Sequence, residues 1–134
     1  MNKKFSPISQ EFCDYFMEKC IECGKDPSPE KIAEFYNECY PYLGDIWSSM
    51  ESSEECNQIM GNIKDAFDII CQYTQEKYGR WCVRPEHIAK LPQMGKIRDC
   101  LVIAGNCCES IFQFRLAKKQ QQQQNQKKAA SGSY

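Results

Sequence analysis

A chain of 134 residues fits a single compact domain, and 17 Lys plus Arg against 18 Asp plus Glu leave a formal net charge of −1. That balance excludes a nucleic-acid binder that works through a strong basic field, and no apolar run, residues 101–104 included, approaches the roughly 20 residues of a membrane-spanning helix. The outlier is a count of ten cysteines, a density found in small domains held by disulfides rather than in ordinary cytosolic chains.

Residues 1–10, MNKKFSPISQ, contain neither the apolar core of a secretory signal nor an Arg-rich presequence. An oxidising compartment reached without a cleaved address is therefore expected, and the mitochondrial intermembrane space is one. A mature chain separated from its leader and a cytosolic protein with reduced, buried thiols are the alternatives.

Along the chain the apolar residues recur at helical spacing. Ser6 and Ser9 offer caps for a first helix that carries Phe12, Cys13, Phe16, Cys20 and Cys23 largely on one side and ends at Gly24. Ser28 followed by Pro29 starts a second, whose Ile32, Phe35, Tyr36, Cys39, Tyr40 and Leu43 recur at three- and four-residue steps, and which should stop near Pro41. Residues 44–53 read as a connection. Ser52 and Glu55 have capping-box spacing, and a stripe from Cys56 through Ile63 and Phe67 to Thr74 predicts a long third helix closed by Gly79.

Residues 80–92 hold Trp81, two prolines and the single histidine, and read as a crossover with at most one helical turn at residues 86–91. Ile97, Cys100, Leu101, Ala104, Cys107, Cys108, Ile111 and Phe112 predict a last amphipathic helix that runs toward five consecutive glutamines. The expected fold is an all-α, disulfide-stapled bundle of four or five helices over residues 1–117, followed by a polar tail, residues 118–134. The body carries 13 basic and 18 acidic side chains, whereas the tail has four lysines and no acid. Such a tail cannot build a core; it either continues the last helix into solvent or contacts an acidic partner.

Cys13 and Cys20 lie seven residues apart, as do Cys100 and Cys107, so each pair faces one way about 10 Å apart along its helix. Antiparallel packing of the first and last helices would join Cys13 to Cys107 and Cys20 to Cys100. Disulfides need Cα atoms within about 4.4–6.8 Å, which small neighbours such as Ala104 and Gly105 permit. Cys39 and Cys56 flank residues 44–53 and are candidates to bridge that hairpin. Cys107 and Cys108 face differently and need not both pair. Cys20-x2-Cys23 is half a zinc spacing without its second half, and a redox C-x2-C centre wants a strand before its helix.

The chain has one histidine and no Gly-rich phosphate loop, so neither catalysis nor a cofactor or metal is expected. His87 follows Glu86 in a surface turn, and Glu54 and Glu55 suit the positive end of a helix. Tyr36 and five interface candidates, Tyr40, Tyr42, Trp47, Tyr78 and Trp81, gather at helix ends. There they either seal the bundle or face a partner.

Two segments, Cys13-x9-Cys23 and Cys71-x10-Cys82 (CQYTQEKYGRWC), resemble the paired cysteines of the coiled-coil-helix-coiled-coil-helix (CHCH) family. Here 47 residues separate the two pairs, where the family has a short turn. The resemblance implies pairing of Cys13 with Cys82 and of Cys23 with Cys71, and import by oxidative trapping. It also implies a structural role as an accessory subunit of an inner-membrane respiratory complex, among subunits of a larger membrane-associated assembly. The stretch ECYPYLG, residues 38–44, with Trp47 is similar to folate-receptor-like cysteine-rich domains. That resemblance implies a secreted or lumenal ligand-binding module with Tyr40, Tyr42 and Trp47 as pocket walls.

Overall fold

The computed structural model describes residues 9–131, with side chains as far as residue 122. Among these residues six α-helices follow in order: α1 Gln10–Lys25, α2 Pro29–Cys39, α3 Leu43–Ser49, α4 Glu54–Tyr78, α5 Pro85–Ala89 and α6 Met94–Ser131. The four long ones, α1, α2, α4 and α6, form the bundle, and α3 and α5 are short helices inside its connections. Among the described residues there is no strand, so the all-α expectation holds.

Local chemistry explains most of the boundaries. Ser9 caps α1 by accepting from Phe12 N–H, and Ser28 caps α2 by accepting from Lys31 N–H, with Pro29 in its first turn. The alternative cap at Ser6 lies outside the described residues. Ser53 rather than Ser52 caps α4, accepting from Cys56 N–H at 3.1 Å, and Glu54 and Glu55 occupy the first turn. Gly79, at φ 70°, ends α4 in the left-handed conformation that other residues disfavour.

Helix α2 ends at Cys39, near Pro41 as expected. One expectation needs correction: a single 3-10 turn, Tyr40–Tyr42, leads into α3, and residues 44–49 of the expected connection are helical. Leu43 and Ile46 explain this, because both are buried and one turn of helix is the shortest way to place them in the core. Helix α6 continues past residue 117, as one of the two readings of the tail has it, and runs on as one helix of 38 residues, about 57 Å long.

Helix α6 is the centre of the fold, packed along α1 on one side and α4 on the other. Helix α2 closes the bundle, and Phe35 at its middle touches Phe16 of α1 (5.4 Å between ring centroids) and Phe67 of α4 (5.1 Å). Ile32, Ile59, Ile63 and Ile97 complete a fully buried interior around those rings. The α4–α5 connection is pinned to α2 at two points. Asn37 Nδ2 donates to the Val83 carbonyl at 2.8 Å, and Val83 N–H donates to Asn37 Oδ1 at 3.0 Å. His87 also acts structurally, its Nδ1 accepting from Arg84 N–H at 3.2 Å while the ring stacks on Tyr78 at 4.2 Å.

Helices α1 and α6 are antiparallel, with Asp14 bonded to Arg115 (3.3 Å) and Gly24 set against Gly105. The approach is unusually close. A Cβ built on Gly105 would lie 2.8 Å from the Cys20 carbonyl oxygen and 3.1 Å from the Gly24 Cα. Backbone meets backbone there because neither residue has a side chain to hold the helices apart.

Candidate functional site

Helix α1 begins at Gln10, one turn before Asp14 meets Arg115, so among the described residues α6 extends past its α1 neighbour while its sequence is still apolar. The result is a groove of about 740 Å³ between the middle of α6 and the start of α4. Cys56, Cys107, Ile111 and Phe114 supply its apolar lining. Glu51 and Glu55 stand on the α4 side, and Arg115 and Lys118 on the α6 side. Phe114 is 69% exposed, which is costly for an aromatic ring in water. Ile103, Cys107, Ser110 and Phe114 follow at steps of four, three and four, so they form one stripe along the helix. A smaller cleft lined by Cys13, Met50, Cys56 and Arg115 continues the groove toward the start of α1.

Phe114 is not among the residues expected from sequence to face a partner. Its signal was present: Phe114 falls outside the core stripe that ends at Ile111 and Phe112, and a second apolar stripe on one helix implies a second surface to cover.

All ten cysteines stand as free thiols in the structure, and their placement separates the pairings considered above. Gly24 and Gly105 set the α1–α6 register, and it differs from the cysteine-based one by roughly two turns. Cys20 therefore comes opposite Gly105 and lies beside Cys108, both thiols being fully buried. Neither the Cys13–Cys107 nor the Cys20–Cys100 rung forms. Cys100 turns toward α4, where burial and then Asp65 push its thiol up. Burial, then Cys108 and Glu55, push Cys107 up.

Cys39 does not face Cys56 across the hairpin. Cys39 is fully buried in the core at the end of α2, whereas Cys56 lies outside that core and lines the groove; burial, then Glu38, and then Cys23 push the Cys39 thiol up to about 12. The pairing of Cys13 with Cys82 implied by the CHCH resemblance has no counterpart either. Cys13 shares a cleft with Cys56 at the start of α4, whereas Cys82 is exposed beyond its far end. That helix is about 37 Å long. Cys71, expected to meet Cys23, instead lies beside Tyr40, whose hydroxyl it pushes up to about 12 ahead of the effect of burial.

Of the aromatic candidates, most seal the bundle. Tyr40 stacks on the buried Tyr36 at 4.9 Å, and Trp81 packs against both, 5.8 Å from Tyr40. Trp47 Nε1 donates to Asn57 Oδ1 at 3.0 Å, which ties α3 to α4. Tyr78 lies on His87. Only Tyr42 among the five is exposed, at 48%, with one edge on Phe12. Tyr40, Tyr42 and Trp47 consequently turn to three different neighbours and do not wall a common pocket. Among the described residues no set of three or more His, Cys, Asp or Glu is gathered to hold a metal, and no helix is long and apolar enough to cross a membrane. No protein-family model, no curated protein and no solved structure matches this chain.

Proposed function

We propose that this protein is a non-catalytic, disulfide-stabilised helical subunit that receives an amphipathic helix of a partner protein in the groove along α6. Its proposed place is the intermembrane-space side of an inner-membrane respiratory complex, as an accessory subunit. The observation that carries the docking role is the exposed Phe114, aligned with Ile103 and Cys107 beside an apolar groove. The rims add direction. A partner helix with basic residues on the Glu51–Glu55 side and acidic residues on the Arg115–Lys118 side would seat in one orientation. The compartment is supported by ten cysteines in 134 residues and by the CHCH-like spacing of two pairs. A bundle already ordered before assembly loses little entropy on docking.

Photo-crosslinking from residue 114 of the full chain in intact mitochondria tests this reading, together with protease protection of opened and sealed organelles. Adducts to a respiratory-complex subunit that form in the otherwise unaltered chain and disappear when Ile103→Asp is introduced support it. A chain that is excluded from mitochondria, or that stays monomeric there without adducts, contradicts it.

A further inference from the structure

We infer that Cys20 and Cys108 are a disulfide pair that clamps α1 to α6 beside their glycine crossing. Disulfide formation requires Cα atoms within about 4.4–6.8 Å, whereas helices held apart by side chains run about 8–10 Å between axes. Gly24 and Gly105 remove that obstacle. A Cβ on Gly24 would lie only 3.1 Å from the Leu101 carbonyl oxygen and 3.2 Å from the Gly105 Cα. Cys20 is one turn before Gly24 on α1, and Cys108 is three residues after Gly105 on α6. In an antiparallel pair those positions face each other on the same side of the crossing, and both side chains are 0% exposed.

Two further thiols compete for Cys20, and geometry disfavours both. Cys23 Sγ is turned to the Lys31 carbonyl at 3.4 Å, toward the start of α2. Cys39 is the last residue of α2, a helix with no glycine to admit the backbone of α1 as Gly105 of α6 does. After burial, the Cys108 thiol is the strongest influence on Cys20, ahead of Cys23 and Cys39, in keeping with that arrangement.

The inference rests on the disulfide part of the proposed function and names one bond within it. The oxidant is a small-molecule disulfide such as oxidised glutathione. A thiolate of one cysteine attacks a glutathione sulfur, breaking its S–S bond and releasing one glutathione thiolate. The second cysteine thiolate then attacks the protein-side sulfur and releases the other. The protein loses two electrons, the glutathione disulfide gains them, and the two thiol protons end on the released glutathiones.

The test is to refold the reduced full chain in a reduced–oxidised glutathione mixture, block remaining thiols, and map linked peptides without reduction. Cleavage after Glu22 separates Cys20 from Cys23, and fragmentation between Cys107 and Cys108 assigns the second sulfur. The expected product links Cys20 to Cys108, and its reduction lowers the thermal midpoint by roughly 10 °C or more, given the long loop it closes. Cys20 blocked as a free thiol, or joined to Cys23, Cys39, Cys100 or Cys107, overturns the inference. Cys108→Ala, mapped in the same way, should leave Cys20 open to the blocking reagent; Cys20 still bonded elsewhere in equal yield counts against the pair. The compartment is judged separately, by the thiol count of protein from its native source, so either idea can fail alone.

Discussion

Gly24 of α1 and Gly105 of α6 touch through their backbones, the Cβ position of Gly105 lying 3.1 Å from the Gly24 Cα. This contact fixes the register of the two helices and brings Cys20 beside Cys108. Gly105→Ala forces its new methyl to within 2.8 Å of the Cys20 carbonyl oxygen, so the helices must separate. A loss of about 1–3 kcal/mol is expected. Gly61, inside α4, has nothing within 4 Å of its Cβ position, and Gly61→Ala should gain about 0.5–1 kcal/mol from helix propensity alone. Urea midpoints of the two variants should therefore move in opposite directions; equal shifts would remove the close crossing from the fold.

The cap of α4 distinguishes adjacent serines. Ser53 accepts from Cys56 N–H at 3.1 Å, whereas Ser52 has no such bond among the described contacts. Ser53→Ala should cost about 1 kcal/mol and Ser52→Ala close to nothing, as read from chemical denaturation. The reverse order would restore the capping box between Ser52 and Glu55.

These serines show how far the sequence could be read. Apolar spacing placed all four bundle helices, because residues such as Ile59, Ile63, Phe67 and Ile70 repeat at the period of one buried face. A cap is decided by a single backbone angle, which spacing does not report, and so the start of α4 was displaced by one residue. The short α3 was missed because its seven residues hold only two buried positions, Leu43 and Ile46, too few to reveal a period. Cysteine pairing differs from the sequence expectation for another reason. Seven-residue spacing says which thiols share a face, but the α1–α6 register is set by the two glycines. The groove is not among the sequence-based expectations because Phe114 is an apolar residue on the solvent side of a helix, outside the stripe that builds the core.

The connection between α4 and α5 depends on Asn37, whose amide makes both of its bonds to the backbone of Val83, at 2.8 and 3.0 Å. Val83 is only 5% exposed, so Asn37→Ala leaves its N–H and carbonyl without partners in a dry site. A loss of about 2–3 kcal/mol is expected. Hydrogen exchange at the Val83 amide should accelerate well beyond that of amides in α1. Unchanged protection there would show that other groups hold this segment.

Alkaline pH should weaken the reduced protein. Burial, followed by Glu22, pushes the Cys23 thiol from 9.0 up to about 12, and burial followed by Glu38 does the same at Cys39. Below pH 9 both thiols are protonated in either state and the folded protein keeps its full stability. Between pH 9 and about 12 the unfolded chain releases protons that the folded chain retains, so stability falls as pH rises. The slope approaches about 1.4 kcal/mol per pH unit for each thiol, and twice that for the pair. Urea unfolding in a non-thiol reductant at about pH 8 and about pH 10.5, on either side of the unfolded thiol's titration, measures it. A flat response would mean that these thiols are solvated in the fold.

The most direct measurement is a thiol count on the protein taken from its native source, acid-quenched, unfolded and alkylated first without and then with reductant. Covalent stapling predicts that most of the ten cysteines take up label only after reduction, Cys20 and Cys108 among them. Ten labelled cysteines before any reductant is added would contradict it.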